Sequence, residues 1–247
     1  MKNKILLLHL LFFLYLFHPC FGEKTISQYT EKDLVSRFIL TTDNKKEIFA
    51  NITLPSSWWS HSYEYLWAEK FAGPTDIVLD GACGIQHPFK WLLAEKCNLA
   101  FACDINNTIL DFDKILSTYD ENILKKAYKN IPQWKKINLL CASICNLPTS
   151  LPQFDRIFCI STLEHMSHIN QKKALAEFAK KLKKNGLIII TFDYPTVIPE
   201  ELFILAESVG LESASEKELG PPPLNALNGY PYYPYLYVYR CVLKHKK

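Results

Sequence analysis

Residues 76–84 read Asp-Ile-Val-Leu-Asp-Gly-Ala-Cys-Gly, and this stretch decides the fold. Ile77, Val78 and Leu79 run without polar alternation, which predicts a short strand over 76–80 that is buried on both faces. The run stops at an acid, Asp80, followed by Gly81 and Gly84. Those glycines let the backbone turn tightly and approach a ligand where a side chain would stand in the way. A helix is predicted next, over 89–96, with Trp91, Leu92 and Leu93 as its apolar face.

The same alternation continues C-terminally. Strands are predicted over 98–104, 137–140, 154–160 and 187–192. Helices are predicted over 107–116 from Ile109, Phe112, Ile115 and Leu116, over 172–183 from Leu175, Phe178, Ala179 and Leu182, and over 200–209. Asn185–Gly186 reads as the end of the second of these, and Gly210 as the end of the third. A weak sixth strand is expected at 213–215 and a last one at 235–243, after a loop stiffened by Pro221–Pro223 and by Gly229-Tyr230-Pro231-Tyr232-Tyr233-Pro234. Strands that are apolar throughout and alternate with helices imply an α/β protein with a mostly parallel, seven-stranded sheet covered on both faces. The last two strands have no helix between them, so they are expected as antiparallel neighbours at one edge.

Before residue 76 the pattern is less regular. Residues 31–40 are predicted as a short helix, and the aromatic run Trp58–Trp67 as helical towards its end, before Gly73–Pro74 breaks the chain. The first residues read differently. Two lysines precede an apolar run over 5–17, and small and polar residues follow to Gly22, as in a secretory signal peptide. A short membrane anchor, or an apolar N-terminus that is never cleaved, gives the same pattern, so membrane association through 5–17 stays open, as does the compartment. If the domain is active, its cytosolic placement is expected. The organisation expected is a signal-like segment over 1–22, a helical and aromatic region over 23–75, and one ligand-binding domain over 76–247.

The chain has 247 residues, 49% of them hydrophobic, enough for one domain with a substantial core. A formal charge of +3 is too small a basic excess to imply a nucleic-acid partner. Cys103, Cys141 and Cys159 lie in apolar runs and are expected as buried core residues; the spacing of Cys141 and Cys145 lacks the further partners that zinc requires, so no metal is expected. The glycosylation sequons at Asn51 and Asn106 matter only in a glycosylating compartment.

In such sheets ligands bind beyond the carboxyl ends of the strands. The residues there are Asp80–Gly84 after the first strand, Asp104 after the second, Ala142–Ser143–Ile144 after the third, and Ser161–His165 after the fourth. An acid at the end of the second strand accepts hydrogen bonds from ribose hydroxyls.

These segments, in this order, resemble the class I S-adenosylmethionine-dependent methyltransferases. Val78-Leu79-Asp80-x-Ala82-Cys83-Gly84 is similar to the family's first motif, and Cys103–Asp104 to its second. Ser143-Ile144-x-x-Leu147-Pro148, Phe154-Asp155-x-Ile157 and Leu163-Glu164-His165 resemble its middle section. Leu182-Lys183-x-x-Gly186 leading into Leu187–Thr191 resembles the segment at its fifth strand. The chain departs from the pattern at Ala82 and Gln86, where glycines are usual, and at Ser143, where an Asp is frequent. Gln86 and His87 are expected to narrow the loop.

The resemblance implies a Rossmann-like three-layer sandwich whose last strand is antiparallel. It also implies methyl transfer from S-adenosylmethionine, with a small molecule as the default acceptor. Asp80, Gly81, Ala82 and Gly84 would meet the methionine part of the cofactor, Asp104 the ribose, Ile105 and Ile144 the two faces of the adenine, and Ser143 its edge. Ser161 would line the passage to the acceptor. His165 is the candidate base, with His61 and His87 behind it; the alternative is that it only orders its loop. Trp58, Trp59, Tyr63 and Tyr65 either close over the cofactor, with Trp59 and Tyr63 against the acceptor, or pack their helix on the sheet. Two other functions fit parts of the sequence: a non-catalytic, exported or membrane-tethered binding protein on a degenerate scaffold of this kind, and an NAD-dependent oxidoreductase. The second needs G-x-G-x-x-G after the first strand, where only Gly81-x-x-Gly84 stands.

Overall fold

The computed structural model describes residues 29–247; the signal-like segment over 1–22 lies outside the described residues. Among the described residues no helix is long and apolar enough to cross a membrane. The chain opens with a one-turn helix α1 (Glu31–Leu34) and three short strands, β1 (Arg37–Phe38), β2 (Ile48–Phe49) and β3 (Ile52–Thr53), before helix α2 (His61–Glu69). Strand and helix then alternate: β4 (Ile77–Gly81), α3 (Phe89–Lys96), β5 (Leu99–Asp104), α4 (Phe112–Ser117), α5 (Glu121–Ala127), α6 (Ile131–Trp134), β6 (Asn138–Cys141), β7 (Phe154–Cys159), α7 (His168–Lys181), β8 (Leu182–Tyr194) and α8 (Pro199–Ser208). Three strands end the chain: β9 (Leu211–Ser213), β10 (Asn228–Gly229) and β11 (Tyr233–His245).

The main sheet runs β1-β11-β8-β7-β4-β5-β6. Strands β4 to β8 pair in parallel, and β11 is antiparallel to β8 from Tyr237↔Tyr194 to Leu243↔Ile188. This is the expected Rossmann-like arrangement with its last strand reversed. The chain steps from β4 to β5 on one side, then returns to place β7 on the other, so the strand order reverses at β4 and β7. A crevice forms above that point.

Apolar residues alternate between the two faces. Val78, Phe158, Leu187 and Ile189 pack with Tyr65 and Trp67 of α2 and Phe89 and Trp91 of α3. Leu79, Ile157, Ile188 and Ile190 pack on the other face with Leu175 and Phe178 of α7 and Leu202 and Phe203 of α8. The result is three layers, each inner position of the central strands being removed from water.

Several expectations need correction. Among the described residues the sheet has nine strands, where the sequence predicts seven. The extra members, β1 and β10, have two residues each, too few for any period to show in sequence. Together with β9 they lie along the outer side of β11 and cover an edge that would otherwise expose unpaired backbone. The last two predicted strands are therefore not alone at the edge. The helix expected over 31–40 stops at Leu34, because Arg37 and Phe38 pair with Arg240 and Tyr239 of β11. That pairing is invisible locally and outweighs a weak helical preference. The helix expected over 107–116 splits at Asp111, whose carboxylate accepts from Lys114 N–H and starts α4 anew after a 3₁₀ turn at Asn107–Leu110. Helix α7 ends at Lys181, so Asn185–Gly186 lie inside β8 and do not terminate the helix. Cys103 and Cys159 are buried as expected, but Cys141 is exposed on β6, at the sheet's far edge.

Candidate active site

The turn after β4 is held by its neighbours. Cys83 N–H donates to Cys103 O at 2.9 Å, and Gly84 N–H to Asp104 Oδ2 at 3.0 Å. Asp104 Oδ1 accepts from Asn106 N–H at 2.8 Å, so one carboxylate at the end of β5 ties both loops. Ala82 and Gly84 lie in the left-handed region, at φ 56° and 61°. The alanine bears a strain that a glycine would avoid, roughly 1–2 kcal/mol.

Beneath this turn sits Lys90, fully buried on α3. Its Nζ donates to the carbonyls of Gly84 at 2.7 Å, Ile85 at 2.9 Å and His87 at 2.6 Å. Three carbonyls satisfy the three protons of an ammonium group. Lys90 therefore sets the shape of the loop that lines the cleft. In sequence it is one lysine in Phe-Lys-Trp-Leu-Leu-Ala-Glu-Lys, indistinguishable from a solvated one. Lys90→Met is expected to orphan three part-buried carbonyls, lower stability by about 2 kcal/mol and weaken ligand binding. Urea unfolding followed by circular dichroism measures the first effect.

The cleft has a volume of about 330 Å³ and is lined by Asp80, Ala82, Gly84, Asp104, Ile105, Ser161, Thr162 and His165, with Tyr65, His87 and Phe89 as an aromatic wall. Its size suits a small-molecule site. Asp80 is 3% exposed, and its Oδ2 has no hydrogen-bond partner. Burial pushes its carboxyl up to about 7; the neighbouring Asp104 adds to the shift and Lys90 opposes it. Ile105 is 78% exposed, a large apolar side chain presented beside Asp104.

The structure thus brings together Asp80, Ala82, Gly84, Asp104, Ile105, Ser161 and His165. It does not place Gly81, Ser143 or Ile144 on the lining. Ser143 Oγ accepts from Cys145 N–H, and Ile144 is buried, with its Cγ2 only 3.2 Å from where a Cβ on Gly81 would stand. Trp59 and Tyr63 are also elsewhere, packed with Ile39, Leu227 and Val238 beside β11. Gln86 does not narrow the loop: it is exposed, its side-chain amide donates to Thr118 O and its backbone carbonyl accepts from Tyr119 OH. His87 does crowd the turn. Its ring stacks on Trp58 at 4.2 Å, and its Nδ1 meets Tyr65 OH at 2.6 Å.

Sequence reasoning missed Glu64. It is fully buried on α2, and Ser161 Oγ donates to its Oε1 at 2.6 Å. Thr191 of β8 donates to the same oxygen. Oε2 lies 3.2 Å from His61 Nδ1 without hydrogen-bond alignment. Burial raises the Glu64 carboxyl, against the hydrogen bonds from Ser161, Thr191 and Ser60, and lowers His61 to about 4, so the histidine side of this contact is uncharged at neutral pH. His87 is lowered to about 3 by burial, then by His61 and Lys90. Nothing in the local sequence of α2 marks Glu64, since its partners lie 97 and 127 residues away. Ser161 itself is held at φ 44°, its N–H donating to Thr191 O.

Among the described residues no group of three or more His, Cys, Asp or Glu side chains is placed to hold a metal ion, and Cys141 and Cys145 are free thiols.

Comparison with known proteins agrees with this geometry. Residues 79–190 match the family model of a methyltransferase domain. An uncharacterized protein of Methanocaldococcus jannaschii is 34% identical over 115 residues, which are 46% of this chain and 47% of that protein. An uncharacterized protein of Haemophilus influenzae is 31% identical over 114 residues, 40% of this chain and 45% of that protein. The chain thus spans about half the length of the curated relatives it matches. The N-methyltransferase NodS from Bradyrhizobium japonicum, solved in complex with S-adenosyl-L-homocysteine, shares the fold at a TM-score of 0.50 and 12% identity, over 74% of this chain and 86% of that one.

Proposed function

This chain carries a methyltransferase domain of the class I, Rossmann-like kind, and from that premise we propose that it binds S-adenosylmethionine in the cleft above β4 and β5 and transfers a methyl group to a small-molecule acceptor. The observation that carries the reading is the Asp80 carboxylate, buried at the cleft with an oxygen that has no partner. Such an oxygen calls for a cationic donor, and the amino group of the cofactor's methionine part is one. Asp104 has both oxygens engaged by one backbone N–H each, and each keeps a lone pair for a ribose hydroxyl. Ile105 offers the adenine an apolar face, while Gly84 lets the backbone of the turn line the cleft. The cofactor supplies a methyl group on a sulfonium that already leaves readily.

The chain's own contribution is then alignment in a shaped site. A base is needed only if the acceptor carries a proton that has to leave, and His165 at the cleft is the residue placed to take it. His61 and His87 are held neutral by burial, so both stay unprotonated at neutral pH. The acceptor enters beside Tyr65, Ser161 and Thr162. The chain's charge of +3 and the cleft's small volume favour a small molecule over a nucleic acid.

A calorimetric titration of S-adenosylmethionine between pH 6 and 7 tests this. With Asp80 titrating at about 7, the fraction ionised, and with it the affinity, is expected to rise about fivefold across that interval. Asp80→Asn should bind more weakly and show no such slope. Absence of saturable binding by the folded wild type at either pH sinks the proposal. The stability effect has the opposite sign. Because the folded pKa lies above the unfolded value of about 4, the folded state keeps a proton that the unfolded chain has lost, so Asp80 makes unfolding easier as pH rises from about 4 to about 7.

A further inference from the structure

A second cavity, about 430 Å³ in volume, opens beside α1, β1 and β11, on the sheet face that α2 covers. It shares no lining residue with the cleft. Two arginines stand side by side in it: Arg37 of β1 and Arg240 of β11 are cross-strand partners and are 6% and 5% exposed. Arg37 is neutralised by Asp43, which it meets through both terminal nitrogens at 2.9 and 2.8 Å. Arg240 is not. Its Nη2 donates to Lys32 O at 2.9 Å, its guanidinium lies over the Trp67 ring at 5.1 Å, and its buried Nε has no hydrogen-bond partner. Among the described residues no carboxylate forms an ion pair with it. Asp33, the other acid of the cavity, pairs with Lys70 at 2.6 Å.

Four cationic side chains therefore face two carboxylates, and each carboxylate is already committed. Burial, together with the neighbouring Arg37, lowers Arg240 only to about 10 against the opposing pull of Asp43, Asp33 and Glu218, so it stays charged at neutral pH. Those acids act on it without an ion pair, and a buried cation with no carboxylate bonded to it is costly, so proteins keep one where something supplies the charge. The guanidinium fork matches the paired oxygens of phosphate and carboxylate groups. We propose that this cavity is a second ligand site, which takes an oxyanionic group of a small molecule on Arg240 and Lys70. Lys70 stands at the rim, half-exposed on its side chain, and guides the anion towards Arg240. The inference does not depend on what the cleft binds.

The test is a calorimetric titration of the full chain with inorganic pyrophosphate and, separately, with citrate, in a low-chloride buffer at pH 7.5. One saturable site is expected for at least one of them, and the tighter anion tells a phosphate-bearing ligand from a carboxylate-bearing one. Arg240→Gln should weaken binding at least about tenfold, and Lys70→Ala about threefold, the usual range for charge-assisted contacts. Saturating S-adenosylmethionine should leave the anion bound. Lys70→Glu, at an exposed position, should abolish binding without threatening the fold and serves if Arg240→Gln does not fold. The proposal is overturned if neither anion saturates, if the charge variants bind like the wild type, or if S-adenosylmethionine displaces the anion and so places it in the cleft.

Discussion

Asp104→Ala is expected to raise the dissociation constant for S-adenosylmethionine by at least about 100-fold, the loss of two charge-assisted hydrogen bonds at about 1.5–3 kcal/mol each. The carboxylate has two tasks. It accepts from Gly84 N–H and Asn106 N–H, fixing the loops after β4 and β5, and at the cleft each oxygen keeps a lone pair for the ribose of the proposed cofactor. Alanine removes both. Asp104→Asn keeps one oxygen as an acceptor but presents a donor amide NH2 to the other N–H, so an intermediate loss of about tenfold is expected. Calorimetry on the wild type and both variants, each checked for folding by circular dichroism, orders the three. If Asp104→Ala binds within about threefold of the wild type, the ribose is not held there, whatever else the cleft accommodates.

The contrast between Asp104 and Glu64 shows what a sequence can and cannot disclose about this site. Asp104 ends an apolar run of strand type, and the backbone alone brings the ends of β4 and β5 together, as Gly81↔Cys103 shows. Position in a parallel sheet was enough to single it out. Glu64 lies in an aromatic-rich helix whose periodicity gives only an amphipathic face. Its partners Ser161 and Thr191 reach it through tertiary packing that no local pattern encodes. Lys90 was hidden for another reason: a buried lysine and a solvated one look alike until the carbonyls of the preceding turn are seen to converge on it. The same limit explains β1, whose pairing with β11 spans about 200 residues, and the 3₁₀ break at Asp111, a choice between competing local hydrogen bonds. The central strands β4, β5, β7 and β8 are legible because burial leaves a nearly unbroken apolar run, and β6, half-exposed at the sheet's edge, shows only the short run over 137–140. The aromatic segment was legible only as aromatic: Tyr65 reached the cleft and Trp58 stacked on His87, whereas Trp59 and Tyr63 pack beside β11.

Gly84→Ala is expected to be the most destabilising single change at the site, at about 3–4 kcal/mol. Two independent costs add. The residue sits at φ +61°, where an alanine loses roughly 1–2 kcal/mol. Its Cβ would also stand 2.4 Å from His87 Cδ2, a distance that requires movement. His87 has little freedom to yield, since Tyr65 OH holds its Nδ1, Trp58 stacks on one side of it and His61 packs at 4.9 Å; displacing such a ring costs about 1–3 kcal/mol. Ala82, at φ 56°, shows that the turn tolerates a left-handed alanine where no ring opposes it, so the clash is what should separate the two positions. A double-mutant cycle with His87→Ala isolates that part: it removes the clash but not the backbone cost, so the double variant should be more stable than the sum of the singles predicts by about 1–2 kcal/mol. Urea unfolding of the four proteins measures it. A coupling near zero would mean that His87 swings away freely, and the aromatic wall would then be no fixed feature of the cleft.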